Sequence, residues 1–220
     1  MTHLLARVEE RLRAALGEPE ARASVTFLGA GRIEVLRFLG REEESGPTLV
    51  RYVTLGMSAE PMAGPPEALG AGGAAGAPFG AGPGVTVLDP EHGPRAELVL
   101  TLRAGRAATD GVLRPLAVLA SSPQVEGVIV APDASLDLGE PLWPGAPFTS
   151  VLVGEPEPPL PDAAESAEPG DAVRFLPLSP MTPAEAAVKR ARGAGELRGR
   201  WRRHGIDPRD PLRTGVPLTG

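Results

Sequence analysis

The stretch RAELVLTLR, Arg95–Arg103, alternates with the two-residue period of an extended chain. Leu98, Leu100 and Leu102 fall on one face, and Val99 and Thr101 on the other. A strand of this strength needs neighbours, and the sequence offers them. Ser24–Leu28, Arg32–Leu39 and Thr48–Leu55 carry β-branched and apolar residues between turn formers. Gly29-Ala30-Gly31 connects the first two, and Glu42-Glu43-Glu44-Ser45-Gly46-Pro47 turns the chain into the third. This part reads as an antiparallel meander. Val128–Ala131, Phe148–Val153 and Val173–Leu178 are further strand candidates.

Helical spacing appears three times. Leu4, Leu5, Val8, Leu12, Ala15 and Leu16 form a stripe that Gly17 stops. Thr109 or Asp110 can cap a helix carrying Leu113, Leu116, Val118 and Leu119, with Pro115 in its first turn and its end at Ser122, before Pro123. The last helix has the clearest start: Thr182-Pro183-Ala184-Glu185 provides an N-cap, a proline at the first helical position and the glutamate of a capping box. Ala187, Ala191, Ala194, Leu197 and Trp201 would be its buried stripe, and Gly205 its end. The pattern predicts one α+β domain over residues 1–220.

Two segments carry too few large side chains to order themselves by burial. Residues 63–84 hold eight Gly, seven Ala and four Pro, and read as a flexible surface insertion. Residues 154–171 hold six acids, no base and five prolines, and read as a solvated loop. The chain has no cysteine, which removes disulfides and thiolate metal sites. Charges at Arg7, Glu9, Glu10, Arg11 and Arg13 break up what a secretory signal would keep apolar, and no run approaches the roughly 18 apolar residues of a membrane span. A cytoplasmic location is expected. Residues 181–220 carry nine bases against four acids, while the other 180 carry 13 against 24. A mostly acidic surface disfavours general nucleic-acid binding.

The sharpest local feature is the end of the third strand, RYVTLGMSAEPM (Arg51–Met62). Gly56-Met57-Ser58-Ala59-Glu60 follows a strand, as a hydrolase nucleophile turn would, but Glu60 stands where that turn requires glycine. A serine hydrolase built on Ser58 is therefore the alternative, not the leading reading. Gly29-Ala30-Gly31 lacks the third glycine of a dinucleotide fingerprint, and Gly80–Thr86 lacks the lysine of a phosphate loop. No cofactor, metal or small-molecule ligand is expected. Lys189–Arg203 holds seven bases and one acid: either a solvated helix face or an anion-binding one serving a nucleic-acid accessory role. Glu97 sits inside the Arg95–Arg103 strand, where it either faces solvent or receives backbone or arginine donors near the Gly56 turn. Met57 suits core packing, and Met62, beside Pro61, suits a partner contact.

In their order these segments resemble the Suppressor of fused domain family. YVTLGMSAEPM is similar to its strand followed by Gly-Met-Ser…Pro-Met, and RAELVLTLR to its next strand. The Leu113–Ser122 helix, FTSVLVGEP, VRFLPLSPMTPAEAAVKRARGAGEL and HGIDPRDPLRTGV follow in sequence. The 63–84 insertion, the acidic loop after Val153 and the low aromatic content depart from the family pattern. The resemblance implies a mixed, largely antiparallel central sheet flanked by helices, and no catalytic residues. Animal relatives bind a transcription factor peptide by adding its strand between two domains, of which this chain is similar to the N-terminal one. Bacterial relatives are associated with immunity against secreted polymorphic toxins. Carried onto this chain, the resemblance implies a protein partner, such as a toxin domain, near Gly56, Met57, Ser58, Pro61, Met62, Asp89 and Glu97.

Overall fold

The computed structural model describes residues 2–27, 31–41, 45–62, 93–160 and 172–217. The 63–84 insertion, Asp89, Gly29, Ala30 and most of the acidic loop lie outside the described residues. Helix α1 (Thr2–Leu16) leads into strands β1 (Ala21–Thr26), β2 (Arg32–Gly40) and β3 (Leu49–Leu55), and a short 3₁₀ turn follows at Met57–Ala59. Strand β4 (Arg95–Arg103) then precedes a 3₁₀ turn at Thr109–Val112 and helix α2 (Leu113–Glu126). Strands β5 (Ser135–Asp137), β6 (Ser150–Val153) and β7 (Val173–Met181) complete the sheet, and helix α3 (Pro183–Arg203) comes last. The seven strands lie in the order β1-β2-β3-β4-β7-β6-β5. β4 and β7 are parallel and every other pair is antiparallel, so the sheet is mixed and the fold is α+β.

The alternation in β4 sorts the core into two layers. Leu98, Leu100 and Leu102 join Val50, Tyr52, Leu176 and Leu178 beneath α2, which contributes Leu116, Ala117, Leu119 and Ala120. On the opposite face Val99 packs with Val53, Leu55, Phe38 and Phe175 under Val8 and Leu12 of α1. A third cluster, on the α1 side of β6 and β7, places Leu152 and Met181 against Ala186, Ala194, Leu197 and Trp201 of α3.

Four expectations change. β1 starts at Ala21, ahead of Ser24. Val128–Ala131 is not a strand: the Val130 amide is directed at the Met62 sulfur, 3.4 Å away, and the edge strand is the unexpected Ser135–Asp137. Helix α2 does not stop at Ser122 but runs through Pro123, whose ring is buried, to a left-handed Gly127 (φ 65°). Proline forfeits one amide bond late in a helix, and burial of the ring offsets it.

The fourth change concerns α3. Its capping box forms as expected, with Thr182 N–H donating to Glu185 Oε2 (2.9 Å) and Glu185 N–H to Thr182 Oγ1 (3.3 Å). But Gly193 has φ 85° and ψ 167°, a conformation essentially confined to glycine, and it breaks the helix in two. Trp201 Nε1 therefore donates to Glu185 Oε1 at 2.8 Å, although a straight helix would hold residues that far apart in sequence about 24 Å apart. The break shifts the buried stripe: Ala186 is buried, whereas Ala187 and Ala191 are exposed. Arg213 closes this cluster with bonds to both Glu185 oxygens (2.7 and 3.0 Å), and its guanidinium stacks 4.7 Å from the Phe148 ring.

Candidate functional site

Strands β3 and β4 pair as far as Val53↔Val99 and then part. The gap is filled by side chains. Thr54 Oγ1 accepts the Leu98 amide (2.8 Å) and donates to Glu97 Oε2 (2.6 Å). Glu97 Oε1 accepts from the Gly56 amide (2.8 Å), the Ser58 amide (3.0 Å) and the Ser58 hydroxyl (2.6 Å). Glu97, Ser58 and Thr54 have no solvent exposure. The solvent-facing reading of Glu97 is thus corrected: its carboxyl is the hub that fixes the turn after β3, taking the backbone donors of the Gly56 turn.

No cation lies within ion-pair distance of Glu97 among the described residues. Burial pushes its pKa up, and the bonds from Ser58, Thr54 and Gly56 counter this only in part. Arg95 serves the same turn from outside, donating to the carbonyls of Ser58 and Ala59, both at 2.8 Å. Gly56 has φ 131°, and a Cβ there would lie 2.5 Å from the Arg32 carbonyl oxygen. Only glycine fits both conditions. Gly56→Ala should therefore lower stability by about 3 kcal/mol, measured by urea unfolding.

The methionines line the inside of this corner. Met57 is 1% exposed and Met62 is 2% exposed, both in the layer beneath α2. Met62 was expected at a partner surface; its side chain is a core group, because its sulfur turns inward to the Val130 amide. Pro61 is half-buried and Glu60 is exposed, so these two form the corner's outer rim. The Met62 amide donates to the Pro94 carbonyl (2.9 Å), which ties together the two points between which the 63–92 segment runs.

The geometry is poor for nucleophilic catalysis. The Ser58 hydroxyl is sealed from solvent and bonded to Glu97, and neither His3 nor His204 is among its partners. The basic stretch of α3 is largely used within the fold. Arg198 pairs with Asp133 (2.5 Å), Lys189 donates to Ser135 Oγ (3.2 Å), and Arg200 and Arg203 share Glu196 (2.9 and 3.0 Å). Sequence reasoning missed the Glu185–Arg213 pair. The capping box announced Glu185, but nothing in the spacing pointed to an arginine 28 residues on. No described helix is long and apolar enough to cross a membrane.

Comparison with known proteins places this architecture. No curated protein matches the chain. Among solved structures, a Suppressor of fused homolog from Neisseria gonorrhoeae FA 1090 is similar with a TM-score of 0.61 at 17% identity, over 100% of both chains. A chain of the Sufu–Fu complex is similar with a TM-score of 0.59 at 12% identity, over 96% of this chain and 91% of that one. Drosophila Suppressor of Fused is similar with a TM-score of 0.56 at 14% identity; 97% of this chain is covered, and it spans 50% of the Drosophila one. At such identities the likeness is one of fold. The family assignment comes from the sequence itself: the profile of the Suppressor of fused protein family matches residues 29–214. The chain belongs to the Suppressor of fused family.

Proposed function

We propose that this protein is a non-enzymatic, single-domain binding protein that recognises a partner polypeptide at the corner after β3. Its role is that of an immunity-type inhibitor, covering a toxin domain in the bacterial cytoplasm. The observation that carries the binding reading is the sealed Glu97–Ser58 hub: the one serine in a nucleophile-like context is committed to holding a turn. Family membership supports it, and the fold is shared with a protein solved in complex with a partner, Fu. Gly56, Met57, Ser58, Met62 and Glu97 shape the corner from within, while Pro61 and Glu60 present its rim; Asp89, outside the described residues, is proposed as a further partner contact. An added partner strand would bind through main-chain bonds, with rim side chains setting specificity.

The test is co-expression with a toxin domain encoded beside this gene. Ser58→Ala should keep the complex and the protection of the host, measured by co-purification and by survival. A hydrolase would instead lose all protection on that substitution.

A further inference from the structure

We propose that Lys189 is a site of N-acylation, its amine taking the acyl group of an acyl phosphate whose phosphate is held by Arg192. Of the 22 lysines and arginines, every one but Lys189 is arginine, so the chain has a single side-chain amine. A guanidinium stays charged at neutral pH and cannot replace it as a nucleophile. The surroundings of this amine are unusual for a surface lysine. It donates to the Ser135 hydroxyl at 3.2 Å, and among the described residues no carboxylate lies within ion-pair distance of it. Asp133, left-handed at φ 67° and two residues before Ser135, is taken up by Arg198 at 2.5 Å. Lys189 is half-buried, and Arg190 follows it directly.

An amine that is partly desolvated, beside a second cation and without an anion of its own, sheds its proton more readily than one in water. Burial lowers the Lys189 pKa; Asp133 opposes this and Arg190 adds to it, leaving the value below the usual one. Only the neutral amine attacks an acyl carbon, so this setting enlarges the reactive fraction. The charges alongside select the donor. Arg192 stands three residues on from Lys189, within one helical turn before the Gly193 break, so the two share a face. Arg190 and Arg192 are exposed, and among the described residues neither enters an ion pair. Guanidinium is well matched to phosphate oxygens. In the reaction the Nζ lone pair attacks the acyl carbon, and the bond from that carbon to the phosphate oxygen breaks. Inorganic phosphate leaves with the electron pair, and the amine proton passes to water. The amide product is neutral, so the cation over Ser135 is lost.

The test treats the full, folded chain with acetyl phosphate at neutral pH and follows the Lys189 adduct by peptide mass spectrometry, with Nα-acetyl-lysine amide as the reference amine. Lys189 should react about fivefold faster than the reference, and the advantage should vanish in guanidinium chloride. Ser135→Asp, at an exposed position, supplies the missing anion and should bring the rate down to that of the reference. Arg192→Gln should slow the reaction with acetyl phosphate while leaving that with neutral p-nitrophenyl acetate unchanged. Unaltered circular dichroism shows that both variants keep the fold. A rate no greater than that of the reference overturns the proposal, as does an advantage that survives unfolding. Indifference to Arg192→Gln, or slowing of both donors alike, overturns it too.

Discussion

Glu97→Ala should leave the chain largely unfolded, whereas Glu97→Gln should keep it folded with most of its stability. Alanine strips the acceptor from four buried donors at once: the Thr54 and Ser58 hydroxyls and the Gly56 and Ser58 amides. At about 1–3 kcal/mol for each buried group left unpaired, the loss rivals the whole stability of an ordinary domain. Glutamine retains Oε1 for the three donors on that side. Its amide can donate to Thr54 Oγ1, which still has a lone pair beyond the Leu98 bond. Only the Thr54 hydroxyl proton then loses its acceptor, a cost of about 1 kcal/mol. Urea unfolding with far-UV circular dichroism separates the two outcomes; equal destabilisation by both substitutions would refute the hub.

The same pair of variants carries a pH signature. Because burial holds the Glu97 pKa above its ordinary value, the folded chain binds more protons than the unfolded one in the window between those two values. Stability attributable to this group therefore falls as pH rises through that window. Glu97→Gln should lack this part of the slope.

Arg213→Ala should be the second most damaging change, at about 3–5 kcal/mol, because it leaves Glu185 buried without its cation. The size follows from geometry. Arg213 is 7% exposed, meets both carboxylate oxygens, and also donates to the Pro180 carbonyl at 2.5 Å. Burial alone would raise the Glu185 pKa, but the Arg213 bonds and charge, with the Thr182 amide and the Trp201 indole, outweigh it and lower the value. The sign is opposite to that of Glu97. Here stability is fully present above the ordinary carboxylate pKa and is lost as pH falls toward the depressed one. Urea unfolding followed by tryptophan fluorescence reports the change, since Trp201 shares the cluster. Arg213→Lys should fall in between, keeping charge but losing the two-pronged contact and the stacking on Phe148.

These two carboxylates show what the sequence could reveal. Glu185 was legible because a capping box is a local device, complete within four residues. Glu97 was only half legible: alternation in β4 flagged it, but its burial depends on how β3 leaves the sheet, which no local pattern encodes. The meander and the parity of β4 followed from apolar alternation. The reversal at Gly193 did not, since a single glycine within a helical pattern is ordinarily tolerated. Met62 misled because a flexible thioether next to a Gly/Ala/Pro-rich stretch resembles a surface group, and its inward turn is set by Val130, distant in sequence. The parallel β4–β7 contact has no local signal either, since the two strands are separated by α2 and the β5–β6 hairpin.

The bond between Met62 and Pro94 has a practical corollary. The clasp gives the sheet two fixed points at which any intervening chain is attached, and doubling the length of a flexible connection between such points costs only about 0.6 kcal/mol of closure entropy. That junction is the natural splice point for a reporter or an entire foreign module, which the scaffold would carry like a bead on a closed ring.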